Sequence, residues 1–193
     1  MREKMFIFMD SGDTIIDEGS EIRDESGTVI HAELIPGARE MMTKLYDEGY
    51  SIALVADGEE VSFKNVYEEN GLEYCFCSKT ISEVVGVQKP DTRMFQDAMN
   101  KNNLTCMDKK RIVMLGNNIK KDVAGANRFG IRSVLFDWSP RYEKNPSSTV
   151  EQPDFIIHSL KEFFEVLKIL EEELNRDTDI CEWDNKYSDE MAE

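Results

Sequence analysis

Short apolar segments alternate with longer amphipathic segments along this chain. The short segments are rich in β-branched and aromatic residues, a composition typical of strands. They are Met5–Met9, Ser51–Val55, Arg111–Leu115, Arg132–Phe136 and Phe155–Ile157. Several are apolar at consecutive positions, as parallel strands are when helices cover both faces of their sheet. The pattern therefore predicts a buried parallel sheet.

The longer segments carry apolar residues at the spacing of an amphipathic helix. They are Gly37–Glu48, Glu60–Asn70, Thr92–Asn102, Ile119–Phe129 and Leu160–Leu174. Ser159 and Glu162 have the spacing of a capping box at the start of the last helix. Strands that alternate with helices in this way predict an α/β fold, a doubly wound, Rossmann-like parallel sheet.

One segment departs from the alternation. Residues 18–34 contain two short strand-like runs on either side of Ser26 and Gly27, which predicts a β-hairpin. Only one helix and one short strand fit between Asp57 and Lys89. We therefore expect a small hairpin flap over the body of the protein and no full cap domain.

The C-terminal end differs from the rest of the chain in charge. Residues 171–193 hold ten acidic and two basic residues, so they carry −8 of the net charge of −16. This composition is typical of a solvated, partly disordered tail, in which Ile180, Cys181 and Trp183 offer apolar side chains for docking. We expect one domain over residues 1–175 and an acidic tail over residues 176–193.

The composition argues against several classes of function. The chain has 39 Asp and Glu residues against 23 Lys and Arg residues, and such an acidic protein is unsuited to binding nucleic acid or an anionic membrane. No apolar run approaches the ~20 residues of a transmembrane helix, and we expect no signal peptide. The four cysteines include no CxxC pair, which favours a reduced, cytoplasmic protein.

Polar residues that are able to take part in catalysis or in metal binding follow the predicted strands. Asp10 follows the first strand, Asp57 the second, and Asn117 and Asp122 a later one, while Lys89 precedes a helix. The carboxyl ends of parallel strands meet at one edge of a sheet, so these side chains are expected to lie together. Carboxylates bind Mg²⁺ together with water and a substrate phosphate. The sequence therefore predicts a magnesium and phosphate site, with Lys89 balancing the phosphate charge.

In order and spacing, these segments resemble the four motifs of the haloacid-dehalogenase-like hydrolase superfamily. The first motif corresponds to Asp10–Thr14, and the second, at the end of a strand, to Ile52–Ala56. The third, a lysine followed by proline, corresponds to Lys89–Pro90, and the fourth to Gly116–Asp122. The resemblance covers residues 4–170 and, with a hairpin in place of a cap, points to the capless-type phosphatase branch.

The resemblance implies a magnesium-dependent phosphatase that works in two steps. Asp10 is the implied nucleophile, which forms an aspartyl-phosphate that water then hydrolyses. Mg²⁺ is the implied cofactor, bound by Asp10, by the backbone carbonyl of Gly12, and by Asp122 and Asn117. Lys89 is the second implied catalytic residue, because it would hold Asp10 and the phosphoryl oxygens in register.

Three positions depart from the family pattern. Gly12 stands where the family carries its general acid/base, so Asp13, one residue further on, is the candidate for that role. Ala56 replaces a hydroxyl that binds phosphate, which leaves backbone amides to do so. Asn117 replaces a carboxylate by a neutral amide, which weakens magnesium binding. The predicted phosphate-binding residues are Ala56, Asp57 and Lys89.

The departures leave a second interpretation open, in which the protein is a weak or inactive family member that binds phosphate or another protein. A receiver-type phosphoacceptor domain also uses Asp, Thr or Ser and Lys near strand ends. Its acceptor aspartate follows a mid-sheet strand with an acidic pair earlier, whereas Asp10 follows the first strand. In the family, an open site without a cap is often associated with a larger phosphorylated substrate or with a homo-oligomer whose partner closes the site. A phosphorylated small molecule is the other substrate that we expect.

Overall fold

The computed structural model of the protein describes residues 3–190, with side chains through residue 176. Its strands are β1 (Phe6–Met9), β2 (Ile22–Arg23), β3 (Val29–His31), β4 (Ser51–Ala56), β5 (Ser78–Ile81), β6 (Ile112–Gly116), β7 (Arg132–Phe136) and β8 (Phe155–Ile157). Six of them form one parallel sheet in the order β5-β4-β1-β6-β7-β8. The predicted strands and the parallel α/β fold are confirmed.

The helices are α1 (Ala38–Asp47), α2 (Glu60–Glu69), α3 (Ser82–Val85), α4 (Thr92–Lys101), α5 (Ala124–Phe129) and α6 (Glu162–Glu190). They cover both faces of the sheet, because successive residues of a strand point to opposite sides. Ile7 packs in a cluster with residues of α1, α2 and α6, whereas the next residue, Phe8, packs with residues of α4 and α5. The sequence pattern predicts each of these helices except the single turn α3. No helix in the described part of the chain has the length and apolar composition to cross a bilayer.

The predicted hairpin is present as the antiparallel pair β2 and β3. It is fixed against α2 by hydrogen bonds. The Val29 N–H donates to Ser62 Oγ at 3.0 Å, and Asn65 Nδ2 donates back to Val29 O at 3.0 Å. Asn70 Nδ2 donates to Ala32 O, also at 3.0 Å. The hairpin is therefore a fixed wall beside the sheet. Membership of the capless branch stays a prediction.

The last helix is longer than the sequence pattern predicts. α6 runs from Glu162 to Glu190, beyond the predicted end at Leu174. The reason is local, because residues 171–190 contain no glycine or proline to end a helix. The side chains of Ile180, Cys181 and Trp183 lie outside the described residues. The division between a domain and an acidic tail stays a prediction, as do the disorder of the tail and the docking of its apolar residues.

Candidate active site

The carboxyl ends of three neighbouring strands position the site. β1 lies between β4 and β6, so the residues that follow these strands converge on one edge of the sheet. Asp10 comes directly after β1, and its backbone N–H donates to Leu115 O at 2.9 Å. Ala56 ends β4 and Gly116 ends β6. The cleft at this edge is lined by most of the predicted site residues, namely Asp10, Gly12, Ala56, Asp57, Lys89, Asn117 and Asp122.

A buried lysine joins the two aspartates of the cleft. Lys89 is only 3% exposed, and its Nζ lies 2.6 Å from Asp10 Oδ1 and 2.7 Å from Asp122 Oδ1. The Nζ also donates to Val55 O at 2.8 Å. Burial lowers the pKa of Lys89, but the carboxylates of Asp10 and Asp122 outweigh burial and raise this pKa above its ordinary value. The ammonium group therefore stays charged and holds both carboxylates in place.

Asp10 is oriented and largely desolvated. Burial raises the pKa of its carboxyl group, the nearby Asp122 carboxylate raises it further, and Lys89 opposes both effects. Its side chain is 13% exposed. The Asp10 carboxylate has lost most of its water, and a cation holds one of its oxygens. This arrangement suits a nucleophile.

One carboxylate oxygen of Asp122 accepts no hydrogen bond from the described residues. It lies in a π-helical turn, Ile119–Val123, that precedes α5, and such turns are frequent at functional sites. A Cβ on Gly116 would lie 2.4 Å from Asp122 Oδ2, so only glycine leaves room for the carboxylate. The Asn118 N–H donates to Oδ2 at 3.0 Å. Lys89 lies at ion-pair distance from Oδ1 but is not aligned as a hydrogen-bond donor, and no other described residue bonds Oδ1.

The donor set suits magnesium. Among the described residues, no group of three or more His, Cys, Asp and Glu side chains forms a metal cluster. Asp10 and Asp122 instead give two carboxylates, and Asn117 adds a buried amide whose side-chain oxygen is a neutral donor. Mg²⁺ commonly takes one or two carboxylates and completes its shell with water and substrate phosphate. The observation that fits such an ion is the buried Oδ1 of Asp122, which is ion-paired with Lys89 but accepts no hydrogen bond from a described residue.

Asp57 is paired with Lys121, which is not among the site residues predicted from the sequence. Asp57 Oδ2 lies 2.8 Å from Lys121 Nζ, and Oδ1 accepts the Lys89 N–H at 3.0 Å. Lys121 directly precedes Asp122 and lines the same cleft. A second cation therefore lies near Ala56, which has no hydroxyl to offer a phosphate. The sequence signal was the basic pair at residues 120–121, which a helix surface explains equally well.

Asp13 does not line the cleft, and its acid/base role stays a prediction. Its side chain is fully buried, and the backbone at Asp13 has a φ of 47°. Its Oδ2 lies 2.8 Å from Arg141 Nε, and its Oδ1 accepts the Glu18 N–H at 3.1 Å. Both carboxylate oxygens are therefore committed to structural contacts. The geometry gives Asp13 a positioning role and does not support it as the acid/base.

Glu18, unlike Asp13, lines the cleft with its carboxyl group. Its Oε2 accepts the Tyr142 hydroxyl at 3.0 Å and lies 3.4 Å from Arg141 Nε. Burial raises the pKa of Glu18, the Tyr142 hydrogen bond opposes this, and the Asp13 carboxylate adds to the increase. The sequence pattern places Glu18 in the flap but not in the site. No local pattern signals a contact with a residue 124 positions away.

Two cavities meet at this edge of the sheet. The first, of about 90 Å³, is lined by Asp10, Lys89 and Asp122. The second, of about 180 Å³, lies beneath the hairpin and has an apolar floor that includes Ile16, Val29 and Phe63. Ser11, Gly12, Glu18 and Asp57 line both cavities. The arrangement offers a small charged compartment next to a larger, partly apolar one.

The comparisons with known proteins agree with this geometry. Residues 9–136 match the family model of haloacid dehalogenase-like hydrolases, and the chain belongs to this family. It is 28% identical over 134 residues to a glyceraldehyde 3-phosphate phosphatase of Pyrococcus furiosus, covering 69% of this chain and 54% of that protein. It is 30% identical over 131 residues to a phosphoserine phosphatase of Thermus thermophilus, covering 68% of this chain and 50% of that protein.

The chain spans about half the length of these curated relatives. Among solved structures, it resembles a phosphatase of the same family from Thermococcus onnurineus with a TM-score of 0.67 at 16% identity. That alignment covers 84% of this chain and 97% of the other. Membership of the hydrolase family argues against the receiver-type interpretation.

Proposed function

We propose that the protein is a magnesium-dependent phosphohydrolase that acts through an aspartyl-phosphate on Asp10. The observation that carries this proposal is the contact of one buried lysine with two aspartates, with Lys89 Nζ 2.6 Å from Asp10 and 2.7 Å from Asp122. Several relatives are named phosphatases of small phosphorylated metabolites, which supports a phosphate ester as the substrate.

The residues of the cleft divide the work. Lys89 holds Asp10 Oδ1, so Asp10 Oδ2 is the oxygen that attacks phosphorus and forms the aspartyl-phosphate. The Lys89 ammonium then faces the phosphoryl oxygens and offsets their charge. Lys121 lies on the side of Asp57 and adds a second cation for the phosphate. Water hydrolyses the aspartyl-phosphate and restores Asp10.

Charge in the cleft supports a role for magnesium. The cleft is lined by four carboxyl groups, those of Asp10, Glu18, Asp57 and Asp122, but by only two lysines, Lys89 and Lys121. A phosphate dianion would enter this acidic cleft against repulsion unless a divalent cation were bound. Asp10, Asp122, the amide of Asn117 and the backbone carbonyl of Gly12 are the proposed ligands. When bound, Mg²⁺ would offset charge on the phosphoryl oxygens.

The cavity beneath the hairpin supports a phosphorylated small molecule as the substrate. Its volume of about 180 Å³ accommodates the alcohol part of a small phosphate ester more readily than a folded macromolecule. A larger phosphorylated substrate, a homo-oligomer that closes the site, and a cytoplasmic location remain predictions from the sequence.

A second candidate function is a phosphate-binding module without turnover. Gly12, Ala56 and Asn117 favour it, because each lacks a group that the family pattern supplies. The two functions differ in whether Asp10 reacts, so a single variant separates them.

The test is hydrolysis of p-nitrophenyl phosphate with Mg²⁺ or with EDTA by the wild-type protein, Asp10→Asn and Glu25→Gln. Glu25 is an exposed carboxylate in the hairpin turn and serves as the matched control. We expect magnesium-dependent turnover in the wild type and in Glu25→Gln, and none above background in Asp10→Asn. Equal background rates in all three proteins would reject the enzyme and favour the binding module.

A further inference from the structure

The space beside Gly12 is filled by another residue's carboxyl group. A Cβ built on Gly12 would lie 2.1 Å from Glu18 Oε1 and 2.8 Å from Glu18 Cδ. These distances are far below van der Waals contact, so a side chain at residue 12 and the present position of Glu18 exclude each other. The Glu18 carboxyl therefore occupies the position from which a side chain at residue 12 would extend into the cleft.

Several contacts hold Glu18 in this position. Glu18 begins a short 3₁₀ helix whose first turn is capped by Asp17, which accepts the Gly19 N–H at 2.8 Å. The Glu18 N–H donates to buried Asp13. Tyr142 donates its hydroxyl to the Glu18 carboxyl at 3.0 Å. The carboxyl group is therefore fixed from both its backbone and its tip, and Asp13 acts by positioning it.

The location of Glu18 relative to the two cavities is also specific. It lines both the compartment that holds Asp10 and Lys89 and the larger cavity beneath the hairpin. If the phosphoryl group occupies the first and the alcohol part the second, then the bridging ester oxygen lies at the boundary between them. We propose that Glu18 is the general acid and base of this site, acting on that bridging oxygen from the position that Gly12 leaves open. This inference rests on the proposed phosphatase function.

Glu18 would transfer a proton in each of the two steps of the reaction. In the first, the Asp10 carboxylate forms a bond to phosphorus, the bond from phosphorus to the ester oxygen breaks, and the protonated Glu18 gives its proton to the departing alkoxide. In the second, the Glu18 carboxylate takes a proton from the attacking water as the bond from Asp10 to phosphorus breaks. One ester and one water yield one alcohol and one phosphate, and Glu18 ends protonated, as it began.

The dependence of the rate on the leaving group tests this role. Glu18→Gln, with Glu25→Gln as the control, is assayed with p-nitrophenyl phosphate, whose leaving group departs without a proton, and with glycerol 3-phosphate, whose alkoxide needs one. We expect the hydrolysis rate of Glu18→Gln on glycerol 3-phosphate to fall ~10²-fold or more, which is the low end of the rate contributions of general acids. On p-nitrophenyl phosphate we expect a burst of about one nitrophenolate per protein followed by slow turnover, because only the second step still needs the base.

A loss of equal size on both substrates without a burst would assign Glu18 a structural role and overturn the inference. Wild-type activity of Glu18→Gln on glycerol 3-phosphate would overturn it as well. Failure of the proposed function looks different, because the wild-type protein itself would then show no turnover beyond Asp10→Asn on p-nitrophenyl phosphate.

Variants at Gly12 give an independent test of whether a side chain at residue 12 and the Glu18 carboxyl compete for the same space. Gly12→Ala places a Cβ where the flexible end of Glu18 now lies, so the side chain must move while the fold can persist. We expect Gly12→Ala to reproduce the leaving-group dependence of Glu18→Gln. The double variant Gly12→Asp/Glu18→Ala supplies a carboxyl group from residue 12, and we expect it to be at least tenfold faster than Glu18→Ala on glycerol 3-phosphate. An unaffected Gly12→Ala, or no recovery in a double variant that folds, would contradict the inference. Thermal unfolding checks folding.

Discussion

Lys121 Nζ lies 2.8 Å from Asp57 Oδ2, and this ion pair links the loop after β4 to the helical turn that follows β6. Asp57 is well buried at 11% side-chain exposure, whereas Lys121 is 40% exposed. The lysine is therefore free to respond to an anion in the cleft while it neutralises a carboxylate that would otherwise repel it.

Lys121 should contribute to substrate binding more than to the chemical step. We expect Lys121→Met to raise KM for p-nitrophenyl phosphate about tenfold, equivalent to ~1.4 kcal/mol of binding, with a smaller change in kcat. Lys121→Arg keeps the charge and should stay near the wild type. Steady-state kinetics give both parameters, and an unchanged KM in Lys121→Met would show that the phosphate lies elsewhere.

Lys89 should be essential for stability as well as activity. Lys89→Met leaves the buried carboxylates of Asp10 and Asp122 without their cation, and removing one partner of a buried ion pair costs roughly 3–5 kcal/mol. Urea unfolding measures this loss. The double variant Lys89→Met/Asp10→Asn also removes one of the stranded carboxylates, so it should recover part of the stability but none of the activity. Equal stability of the single and double variants would contradict this explanation.

Magnesium should stabilise the folded protein even without substrate. A ligand that binds only the folded state at 100 times its Kd adds ~2.7 kcal/mol. We expect Mg²⁺ to raise Tm in the wild type, and the increase to be lost in Asp122→Asn, which removes the carboxylate whose Oδ1 accepts no hydrogen bond from a described residue. Asp47→Asn, an exposed position on α1, is the matched control. The same increase in Asp122→Asn would place the ion outside the cleft.

The charged residues that line the cavity beneath the hairpin should discriminate against substrates with negatively charged leaving groups. Arg23, which lines this cavity, is already paired with Glu21 at 2.5 Å. Glu59 also lines it and accepts hydrogen bonds from the hydroxyls of Thr28 and Ser62, but it forms no ion pair with a described residue. We expect phosphoethanolamine to be hydrolysed with a higher kcat/KM than 2-phosphoglycolate. Glu59→Gln should narrow this difference a few-fold at low salt, and the effect should fade at high salt because exposed charges are screened.

The control for this prediction is Glu60→Gln, which removes the next carboxylate along the chain without touching the cavity lining. If 2-phosphoglycolate is the better substrate in the wild-type protein, the charge on the cavity lining does not govern the choice of leaving group.

The sequence predicts the strands well because each is a short apolar run whose burial follows from its own composition. It also predicts the meeting of Asp10, Lys89, Asn117 and Asp122, because parallel strands deliver their ends to one edge. Both results depend on regular geometry that local pattern encodes.

The features that the sequence does not predict are contacts between distant side chains. Asp13 and Glu18 lie close together in sequence, and either is chemically suited to proton transfer. Which one faces the cleft is decided by Arg141, which pairs with Asp13, and by Tyr142, which bonds Glu18. Those partners lie more than a hundred residues further along the chain, in a loop whose path no periodicity describes. The role of Lys121 depends in the same way on Asp57.

The attachment of the hairpin to α2 has a consequence for selectivity. Hydrogen bonds between the side chains of Ser62, Asn65 and Asn70 and the backbone at Val29 and Ala32 connect the hairpin to a helix that is itself packed on the sheet. The hairpin, which forms a wall of the cavity beneath it, is therefore preorganised. Binding of a substrate would spend little free energy on ordering this wall. Under the proposed function, a substrate would be accepted or rejected by a shape that exists before it arrives, and discrimination would come from fit to this shape rather than from closure around the correct ligand.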